Sequence, residues 1–335
     1  MILNGAPCDN RGMRPFVYRK ALFGSMLNTA FLFPGQGSQS TGMGRLLAEQ
    51  YPAARAVFEE ADDAVGFSIS KLCFEGPDDD LKRTENTQPA LLTVSTAAFR
   101  VLEELGFRAA VVAGHSLGEY SALVAAGSLS FRDAVRVVKK RGQYMQEAVP
   151  LGTGAMAALL KLPEGKLEGV LAEAADGEVV TAANLNSPDQ IVIAGHAGAV
   201  ERAMNLAKAA GAKRAVALPV SAPFHCPLMR PAQERLAVDL QQTDFRDLST
   251  PLINNWQARE IRTADEARYG LVQQVPNPVR WTDSIRQIVS RGVTRFVEVG
   301  PGAVLSGLCR QIEPALKGAK FGEPSDLEKV QDALA

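Results

Sequence analysis

The chain has 335 residues, of which 46% are hydrophobic and 22% are charged, and its formal net charge is −1. This balance, without a polybasic run, argues against a protein that binds nucleic acid or a charged membrane surface, and no apolar stretch reaches the roughly 18–20 residues of a membrane-spanning helix. The length exceeds what one small core accommodates, and it predicts a large domain with a smaller domain attached or inserted.

Four cysteines are scattered through the chain without a C-x-x-C pair, at Cys8, Cys73, Cys226 and Cys309. This pattern is typical of reduced thiols, so we expect a cytoplasmic protein. The three histidines show no metal-ligand spacing with these cysteines. Neither a metal ion nor another cofactor is therefore expected.

Residues 1–29 precede the first clear strand and carry several basic side chains. They lack the uninterrupted apolar segment and the small-residue cleavage site of a signal peptide. We expect a disordered N-terminal extension, with Met26 as an alternative start of the protein. A transit peptide is the less favoured interpretation.

The first predicted strand is the apolar run Ala30–Phe33, which ends at the loop Pro34–Gln39. Two glycines and a proline make this loop tight and expose its backbone N–H groups. Helices are predicted next, around residues 46–58, 69–74, 78–81 and 90–105, the last of them opened by Asn86–Pro89.

A G-x-S-x-G motif, residues 114–118, lies between an apolar strand, Ala109–Ala113, and a helix, Glu119–Ala126. A serine on such a sharp strand-to-helix turn projects its hydroxyl at the open end of a sheet, and the N-terminus of the following helix stabilises negative charge there. A side chain in place of either glycine would clash in the tight turn. This setting favours a nucleophilic Ser116 over the alternative, a glycine-rich turn whose serine caps the helix.

A helix is predicted over Phe131–Ala148, and the pattern of elements changes after Gly154. The order strand, helix, strand, strand, helix, strand is that of a ferredoxin-like unit. We interpret it as a small subdomain, residues 152–221, inserted into a large α/β subdomain made of residues 30–151 and 222–335. The predicted strands of the small subdomain are 156–162, 179–185, 190–194 and 215–220, and its helices are 164–175 and 197–210. The large subdomain resumes with helices 226–241, 264–275 and 282–291 and with strands 251–255 and 295–299.

A nucleophilic serine needs a base, and the chain offers three histidines. His225 lies in a loop fixed by Pro223 and Pro227, where the chain re-enters the large subdomain, and it is the favoured base. The alternative for His225 is a histidine buried in a turn and bonded to backbone. His115 should point away from its neighbour Ser116, and His196 occupies a strand–helix junction where a capping or surface role is favoured.

A third group should orient the base through its other ring nitrogen. No acid between the serine and His225 has a convincing loop setting, because Asp133 begins a helix while Asp176 and Asp189 lie in turns of the small subdomain. A backbone carbonyl or an amide is the alternative, which would make the catalytic pair a dyad.

Two further features are candidates for roles in catalysis or substrate binding. An oxyanion hole needs two donors, for which the N–H groups of Leu117 and Gln36 are the candidates; a simple turn is the alternative for the loop that holds Gln36. Arg141, near the end of a basic helix, is either solvated or buried. If buried, it can hold a substrate carboxylate through two parallel hydrogen bonds.

Further blocks of sequence accompany the serine motif: FPGQGSQ at 33–39, TQPAL at 87–91, GHSLGEYSAL at 114–123, GTGAMAA at 152–158, AGH at 194–196, NPVRW at 277–281 and VGPG at 299–302. As a set they closely resemble the malonyl-CoA:acyl-carrier-protein transacylases of bacterial fatty-acid synthesis, from about Ala30 to the C-terminus. The extension that precedes Ala30 is the one departure from the family pattern.

The resemblance implies an α/β-hydrolase-like large subdomain that carries the ferredoxin-like one, with the site in the cleft between them. It also implies a ping-pong transfer of malonyl from malonyl-CoA, through a malonyl-serine, to the phosphopantetheine thiol of acyl carrier protein. A monomeric enzyme without a metal ion or other cofactor is expected. The implied site consists of Ser116 as nucleophile, His225 as base, the Gln274 carbonyl as its acceptor, the N–H groups of Gln36 and Leu117 as oxyanion hole, Arg141 as carboxylate partner, Gln88, Asn184 and Asn186 around the pocket, and Phe224 as a malonyl-selective wall.

Three alternatives stay open from the sequence. A serine thioesterase or esterase would have a catalytic Asp or Glu and no need of Arg141. A non-catalytic docking module for the carrier protein would carry a relict site. The third alternative keeps the chemistry and places it in a malonate-decarboxylase or polyketide system.

Overall fold

The computed structural model describes residues 28–220 and 222–334, which form two β-sheets and the helices packed on them. The elements up to the second sheet are β1 (Thr29–Phe33), α1 (Arg45–Gln50), α2 (Pro52–Val65), α3 (Ile69–Glu75), α4 (Asp78–Lys82), α5 (Thr84–Glu104), β2 (Val111–Gly114), α6 (Gly118–Ala125) and α7 (Phe131–Glu147). Then follow β3 (Gly154–Leu160), α8 (Leu167–Ala175), β4 (Val180–Ser187), β5 (Gln190–His196), α9 (Ala197–Ala209) and β6 (Arg214–Ala217). The last elements are a 3₁₀ turn (Pro227–Met229), α10 (Arg230–Gln242), β7 (Leu252–Ile253), β8 (Glu260–Ile261), α11 (Ala264–Gln274), α12 (Trp281–Ser290), β9 (Arg295–Val299), α13 (Val304–Ile312), β10 (Lys317–Phe321), a 3₁₀ turn (Pro324–Asp326) and α14 (Leu327–Leu334).

The larger sheet has six strands in the order β10-β9-β1-β2-β7-β8, and all neighbours are parallel except the edge pair β7–β8. A parallel sheet is normally covered on both faces, and its strands are apolar throughout. Strand β1 shows how this works: Phe31 and Phe33 pack into one core, whereas Ala30 and Leu32 pack into a second core with Trp281. Helices therefore cover both faces of the sheet, and the protein has a mixed α/β fold.

The smaller sheet is antiparallel in the order β4-β5-β3-β6. One face, with Ala157, Leu159 and Ile193, forms a separate core with α8 and α9. The other face, with Met156 and Ala158, belongs to the main core of the larger sheet. The predicted bounds 152–221 enclose this unit; the division into two subdomains stays a prediction.

The two sheets are joined at the loop between α11 and α12. The Val279 N–H donates to the Ala183 carbonyl and the Val279 carbonyl accepts from the Leu185 N–H, both at 2.9 Å. These bonds flank Asn184, beside an irregularity in the β4–β5 pairing. They hold a polar residue of the smaller sheet at the junction with the larger one.

The structure corrects the prediction for the long apolar helix. Helix α5 begins at Thr84 rather than after Pro89, and Pro89 lies inside it. A proline inside a helix removes one backbone hydrogen bond, because it has no N–H. Pro89 is only the sixth residue of α5, so the carbonyl that loses this bond is that of Glu85, which is half-buried near the start of the helix. The predicted single helix around 46–58 is likewise two helices, separated at Tyr51.

Four elements are absent from the prediction: β8, β10, α13 and α14. Strand β8 has only two residues, and β10 carries two lysines and a glycine, so neither shows an apolar pattern. Helix α13 does have apolar residues at helical spacing, at Leu305, Leu308 and Ile312, and was recognisable.

The predicted N-terminal extension, including Met26, lies outside the described residues except for its last two positions, and Thr29 already belongs to β1. Among residues 28–220 and 222–334, no helix combines the length and apolar character needed to cross a membrane.

The strand-to-helix turn is the tightest part of the fold, and it supplies the first test. A Cβ on Gly118 would lie 2.0 Å from the Phe33 carbonyl oxygen, and one on Gly114 would lie 1.9 Å from the Gly118 carbonyl. We expect Gly118→Ala to lower the free energy of unfolding by about 3 kcal/mol, as overpacked sites do. Urea unfolding measures this change.

The matched control is Gly169→Ala on the exposed side of α8, where a Cβ meets nothing within 4 Å. Alanine is the better helix former, so this variant should gain about 0.5–1 kcal/mol. A Gly118→Ala protein as stable as wild type would contradict the described turn.

Candidate active site

Ser116 lies on the turn between β2 and α6, and its backbone φ is 51°. This left-handed conformation is unfavourable for a residue with a side chain. Two hydrogen bonds hold it: the Ser116 N–H donates to Asn255 Oδ1 (2.7 Å), and the Ser116 carbonyl accepts from Gln274 Nε2 (3.0 Å). The surrounding side chains thus stabilise a conformation that the turn alone would disfavour.

His225 faces this serine from the loop after the smaller sheet, and it too is left-handed, with φ 59°. Its Nδ1 lies 2.9 Å from the Gln274 carbonyl oxygen. A carbonyl only accepts, so Nδ1 carries the hydrogen and Nε2 holds a lone pair. That lone pair faces Ser116 Oγ at 2.7 Å. The two side chains are arranged for transfer of the hydroxyl proton to Nε2.

The environment of His225 keeps the imidazole neutral. Burial, and after it the positive charge of Arg141, lower the pKa of His225 to about 3. The ring is 3% exposed, so solvent does little to relieve either effect. A neutral imidazole at every pH of physiological interest is the form that accepts a proton.

Arg141 is the third group at the serine and is 1% exposed. Its Nη1 donates to Gln88 Oε1 (2.6 Å), and its Nη2 donates to Gln274 Oε1 (2.8 Å) and to Ser116 Oγ (3.1 Å). A guanidinium has five N–H donors, so one on Nη1 stays free, and Nε has no partner among the described residues. In the described part of the chain no carboxylate contacts this cation. It is a buried positive charge with donors left for an anion.

Leu117 and Gln36, whose backbone N–H groups are the predicted oxyanion donors, line the same space. Leu117 follows the serine at the N-terminus of α6, and Gln36 follows β1 in a loop that Gln36 Nε2 ties to Thr84 Oγ1 (3.3 Å). Within residues 28–220 and 222–334 neither N–H donates to another group of the protein. Such free donors beside a nucleophile can stabilise an oxyanion.

A small cavity of about 110 Å³ brings these groups together. Its polar lining is Gln36, Gln88, His115, Ser116, Arg141, Asn184 and His225, and its apolar lining is Leu117, Met145, Met156, Leu218, Val220 and Phe224. A depression of about 410 Å³ bounded by α3, α4 and α7 is larger but holds neither the serine nor the histidine. Converging polar groups, not size, therefore identify the site.

Three predicted pocket residues occupy different positions. Phe224 lies in the cavity wall beside the base, and Asn184 lines the cavity with a buried Oδ1 that no described group contacts. Asn186 Oδ1 instead accepts a hydrogen bond from His115 Nε2, at 2.8 Å. It stabilises the turn behind the serine.

The other histidines do not contact the serine hydroxyl. The His115 ring bonds Asn186 and packs edge-on against Trp281, with 5.5 Å between ring centroids. The His196 Nδ1 accepts the Val179 N–H at 2.9 Å. The prediction that His115 points away from the serine is confirmed. The capping role favoured for His196 is wrong, because His196 lies at the N-cap position of α9 and its side chain makes no cap hydrogen bond.

The acids considered from the sequence lie elsewhere. Asp133 caps α7 with Ser130, Asp189 pairs with Lys161, and Asp176 ends α8. Among the residues that the structure describes, no carboxylate contacts His225, and its Nδ1 donates to the Gln274 carbonyl instead.

Sequence reasoning missed two residues of the site, Asn255 and Glu119. Asn255 follows β7 and also donates from Nδ2 to the Gly114 carbonyl (2.6 Å), while its N–H donates to Glu119 Oε2 (3.0 Å). A usable signal existed, because polar residues after neighbouring parallel strands meet at one edge of the sheet. Glu119 is a charged residue directly after the motif, on a helix that is otherwise apolar or small.

Comparison with known proteins gives a consistent picture. The acyl transferase domain family matches residues 30–320. The malonyl CoA-acyl carrier protein transacylase of Escherichia coli K12 is 50% identical over 301 residues, which cover 90% of this chain and 97% of that protein.

Solved structures agree in fold. An acyl carrier protein S-malonyltransferase from Vibrio cholerae is 47% identical, with a TM-score of 0.89 over 90% of this chain and 99% of that one. A malonyl-transacylase solved in complex with a type II polyketide acyl-carrier protein is 45% identical, with a TM-score of 0.89 over 91% and 99% of the two chains.

The neutral His225 predicts a loss of stability at acidic pH. An unfolded histidine binds a proton near pH 6.5 and the folded His225 only near pH 3, so the free energy of unfolding falls between these values. Between pH 7.5 and pH 5.0 this histidine lowers the free energy of unfolding by about 2 kcal/mol. The His225→Gln variant has no such loss, because glutamine does not bind a proton in this range. Urea unfolding should therefore show wild type losing about 2 kcal/mol more than the variant over this interval.

Burial raises the pKa of Glu119 to about 7, so protonation of Glu119 increases the free energy of unfolding as the pH falls. This contribution is the same in wild type and in His225→Gln, and it cancels when the two proteins are compared. Equal losses in wild type and variant would show that His225 titrates at its ordinary value.

Proposed function

The chain belongs to the acyl transferase domain family, and we propose that it transfers malonyl from malonyl-CoA to the phosphopantetheine thiol of acyl carrier protein in fatty-acid synthesis. The observation that carries this proposal is the buried Arg141 guanidinium, whose Nη2 lies 3.1 Å from Ser116 Oγ. Malonyl is a short acyl group with a free carboxylate. A cation fixed beside the nucleophile selects an acyl group that is both short and anionic.

In the first half-reaction Ser116 Oγ attacks the thioester carbon and its proton passes to His225 Nε2. The negative oxygen of the tetrahedral intermediate lies between the N–H groups of Leu117 and Gln36. The carbon–sulfur bond then breaks, and CoA leaves with the proton from His225. The product on the enzyme is a malonyl ester of Ser116.

During this step the malonyl carboxylate binds the Arg141 N–H groups that face the serine. One is the free donor on Nη1, and the other is the Nη2 donor that loses its bond to Oγ when Oγ becomes an ester. Two parallel bonds of this kind fix the orientation of a carboxylate. The carboxylate also neutralises the charge that depresses the pKa of His225, which makes the imidazole more basic once substrate is bound.

In the second half-reaction the carrier-protein thiol occupies the position that CoA left. His225 Nε2 takes the thiol proton, sulfur attacks the ester carbon, and Ser116 Oγ departs with the proton. Ser116 and His225 therefore serve both half-reactions, since the thiol of CoA and the thiol of the carrier protein are chemically alike. The carbonyl of Gln274, rather than a carboxylate, orients the base; this favours the transferase over a hydrolase of the Ser-His-acid type.

The finer fold interpretation also belongs to this proposal. We read the unit around the six-stranded sheet as α/β-hydrolase-like, because its nucleophile follows a central parallel strand at a strand-to-helix turn. We read residues 152–221 as ferredoxin-like, which the β-α-β-β-α-β order and the sheet order β4-β5-β3-β6 support. One chain supplies every group named in the mechanism, which supports a monomeric catalyst.

The intermediate can be observed directly. Brief incubation of the wild-type protein with malonyl-CoA should add one malonyl mass, located on Ser116 and removed by holo acyl carrier protein. Ser116→Ala should show no adduct, since it removes the hydroxyl that lies 2.7 Å from His225 Nε2. Intact mass spectrometry with peptide mapping measures both results.

Ser121→Ala is the matched control, because Ser121 is also buried on α6 and its hydroxyl has no partner among the described residues. It should acylate normally. An adduct on Ser116→Ala would refute this nucleophile, and steady release of malonate without an adduct would indicate a hydrolase.

Replacing the cation should change acyl selectivity. We expect Arg141→Ala to lower kcat/KM for malonyl-CoA about 100-fold, because a charge-assisted contact of about 1.5–3 kcal/mol is lost. Acetyl transfer, which has no carboxylate to bind, should stay within about threefold of wild type or rise. Arg136→Ala, an exposed position on the same helix, is the control and should match wild type. Equal losses on the two acyl groups would refute the carboxylate clamp.

A further inference from the structure

Glu119 is a buried carboxylate that the mechanism above does not use. It is the second residue of α6, three positions after the nucleophile, and it is 1% exposed. No cation contacts it among the described residues. Burying a charge without a direct counter-ion is unfavourable, so its hydrogen bonds indicate what it does.

The contacts of Glu119 are all made through one oxygen. Its Oε2 accepts from Gln274 Nε2 (2.8 Å) and from the Asn255 N–H (3.0 Å). Its Oε1 has no hydrogen-bond partner in the described part of the chain. The carboxylate therefore acts on Gln274 and on the strand-end residue Asn255.

Gln274 connects this carboxylate to both sides of the catalytic machinery. Its amide nitrogen donates to Glu119 and to the Ser116 carbonyl, and its amide oxygen accepts from Arg141 Nη2 (2.8 Å). Its backbone carbonyl accepts from His225 Nδ1. One residue at the end of α11 thus contacts the base and the cation at once.

The two ends of a glutamine amide have nearly the same shape and opposite hydrogen-bonding character. Glu119 Oε2 accepts from the Gln274 nitrogen and from the Asn255 N–H, so Glu119 requires the nitrogen end of Gln274 to point toward it. The oxygen end must then face Arg141. With the amide reversed, an N–H₂ group would face the guanidinium and displace it from the serine.

We propose that Glu119 is a positioning residue that fixes the Gln274 amide with its oxygen toward Arg141, and that it thereby sets the preference for a carboxylate-bearing acyl group. This inference rests on the proposed role of Arg141. It assigns Glu119 no contact with substrate and no proton in the reaction.

The test is the ratio of the single-turnover acylation rate constants for malonyl-CoA and acetyl-CoA. In Glu119→Ala the Gln274 nitrogen loses the shorter of its bonds, at 2.8 Å, and keeps the bond of 3.0 Å to the Ser116 carbonyl. The amide is then held less firmly, and the ratio should fall about tenfold, as coupled neighbours do. Glu119→Asp retracts the carboxylate by one methylene and should lower the ratio as well, which keeps the test available if the alanine variant does not fold.

The conservative variant should rescue the ratio. In Glu119→Gln an amide oxygen at the Oε2 position still accepts both N–H groups, while its nitrogen takes the place of the unpartnered Oε1. We expect a ratio within about threefold of wild type, since no hydrogen bond changes partner. A fall as large as that of Glu119→Ala would overturn positioning in favour of a requirement for charge.

A double-mutant cycle tests the route through Gln274. Gln274→Met keeps the backbone carbonyl that orients His225 and removes the amide, so it should lower the ratio by itself. Adding Glu119→Ala to that variant should change the ratio no further, because residues that act through one contact are not additive. Independent, additive effects would overturn the proposal.

Glu298→Ala is the control for a merely structural loss. Glu298 is another fully buried glutamate with three hydrogen bonds, all at the start of α13. Its replacement should lower stability and leave the acyl ratio of the folded enzyme unchanged. An equal fall in both acylation rates of Glu119→Ala, with the ratio preserved, would make Glu119 structural as well.

Arg141→Ala, measured alongside these variants, distinguishes the proposed role of Arg141 from that of Glu119. If it leaves the ratio unchanged, the carboxylate clamp itself fails. If it lowers the ratio while Glu119→Ala does not, the clamp stands and only the role of Glu119 is overturned.

Discussion

A guanidinium buried without a carboxylate against it is the constraint on which the rest of the site depends. Burial makes the charge of Arg141 unfavourable unless its N–H groups are satisfied, and two glutamine side chains and the serine hydroxyl provide three of the five contacts. The Tyr120 ring, 5.5 Å away, adds a favourable face. Among the described residues no carboxylate pairs with Arg141, which leaves donors for an anion in the cavity. The positive charge of Arg141 also adds to burial, the larger cause, in lowering the pKa of His225.

The framework around this charge is rigid because its parts constrain one another. Ser116 and His225 are both left-handed residues with side chains, a conformation that is costly for each. Asn255 and Gln274 hold the first of them, and the Gln274 carbonyl holds the second. On the opposite wall, the backbone of Val279 fixes the strand that carries Asn184. Hydrogen bonds therefore hold both walls of the cavity of about 110 Å³.

The groups that touch the reacting atoms could be predicted from sequence, and the groups that support them could not. Ser116 is marked by a strand, two glycines and a helix, and His225 is favoured by there being only three histidines to compare. His225, Arg141 and Gln274 come together through contacts that join residues 49 positions apart (His225 and Gln274) and 133 positions apart (Arg141 and Gln274). Only the family resemblance indicated the Gln274 carbonyl. The predicted strand 251–255 contains Asn255, but the sequence does not show that this strand pairs with β2, which ends beside Ser116. The helix start at Thr84 was obscured by Pro89, because local propensity places a proline at the start of a helix and packing placed it in the second turn.

The backbone of Ser116 also decides which nucleophiles the fold can accept. A φ of 51° is poorly tolerated by side chains that branch at Cβ, so threonine, although it carries the same hydroxyl, is not an equivalent of serine here. Cysteine has no such branch and fits the same backbone. Evolutionary drift at this position is therefore limited by the conformation of the turn before it is limited by chemistry, and a change of nucleophile would be expected to run from oxygen to sulfur rather than from one alcohol to another.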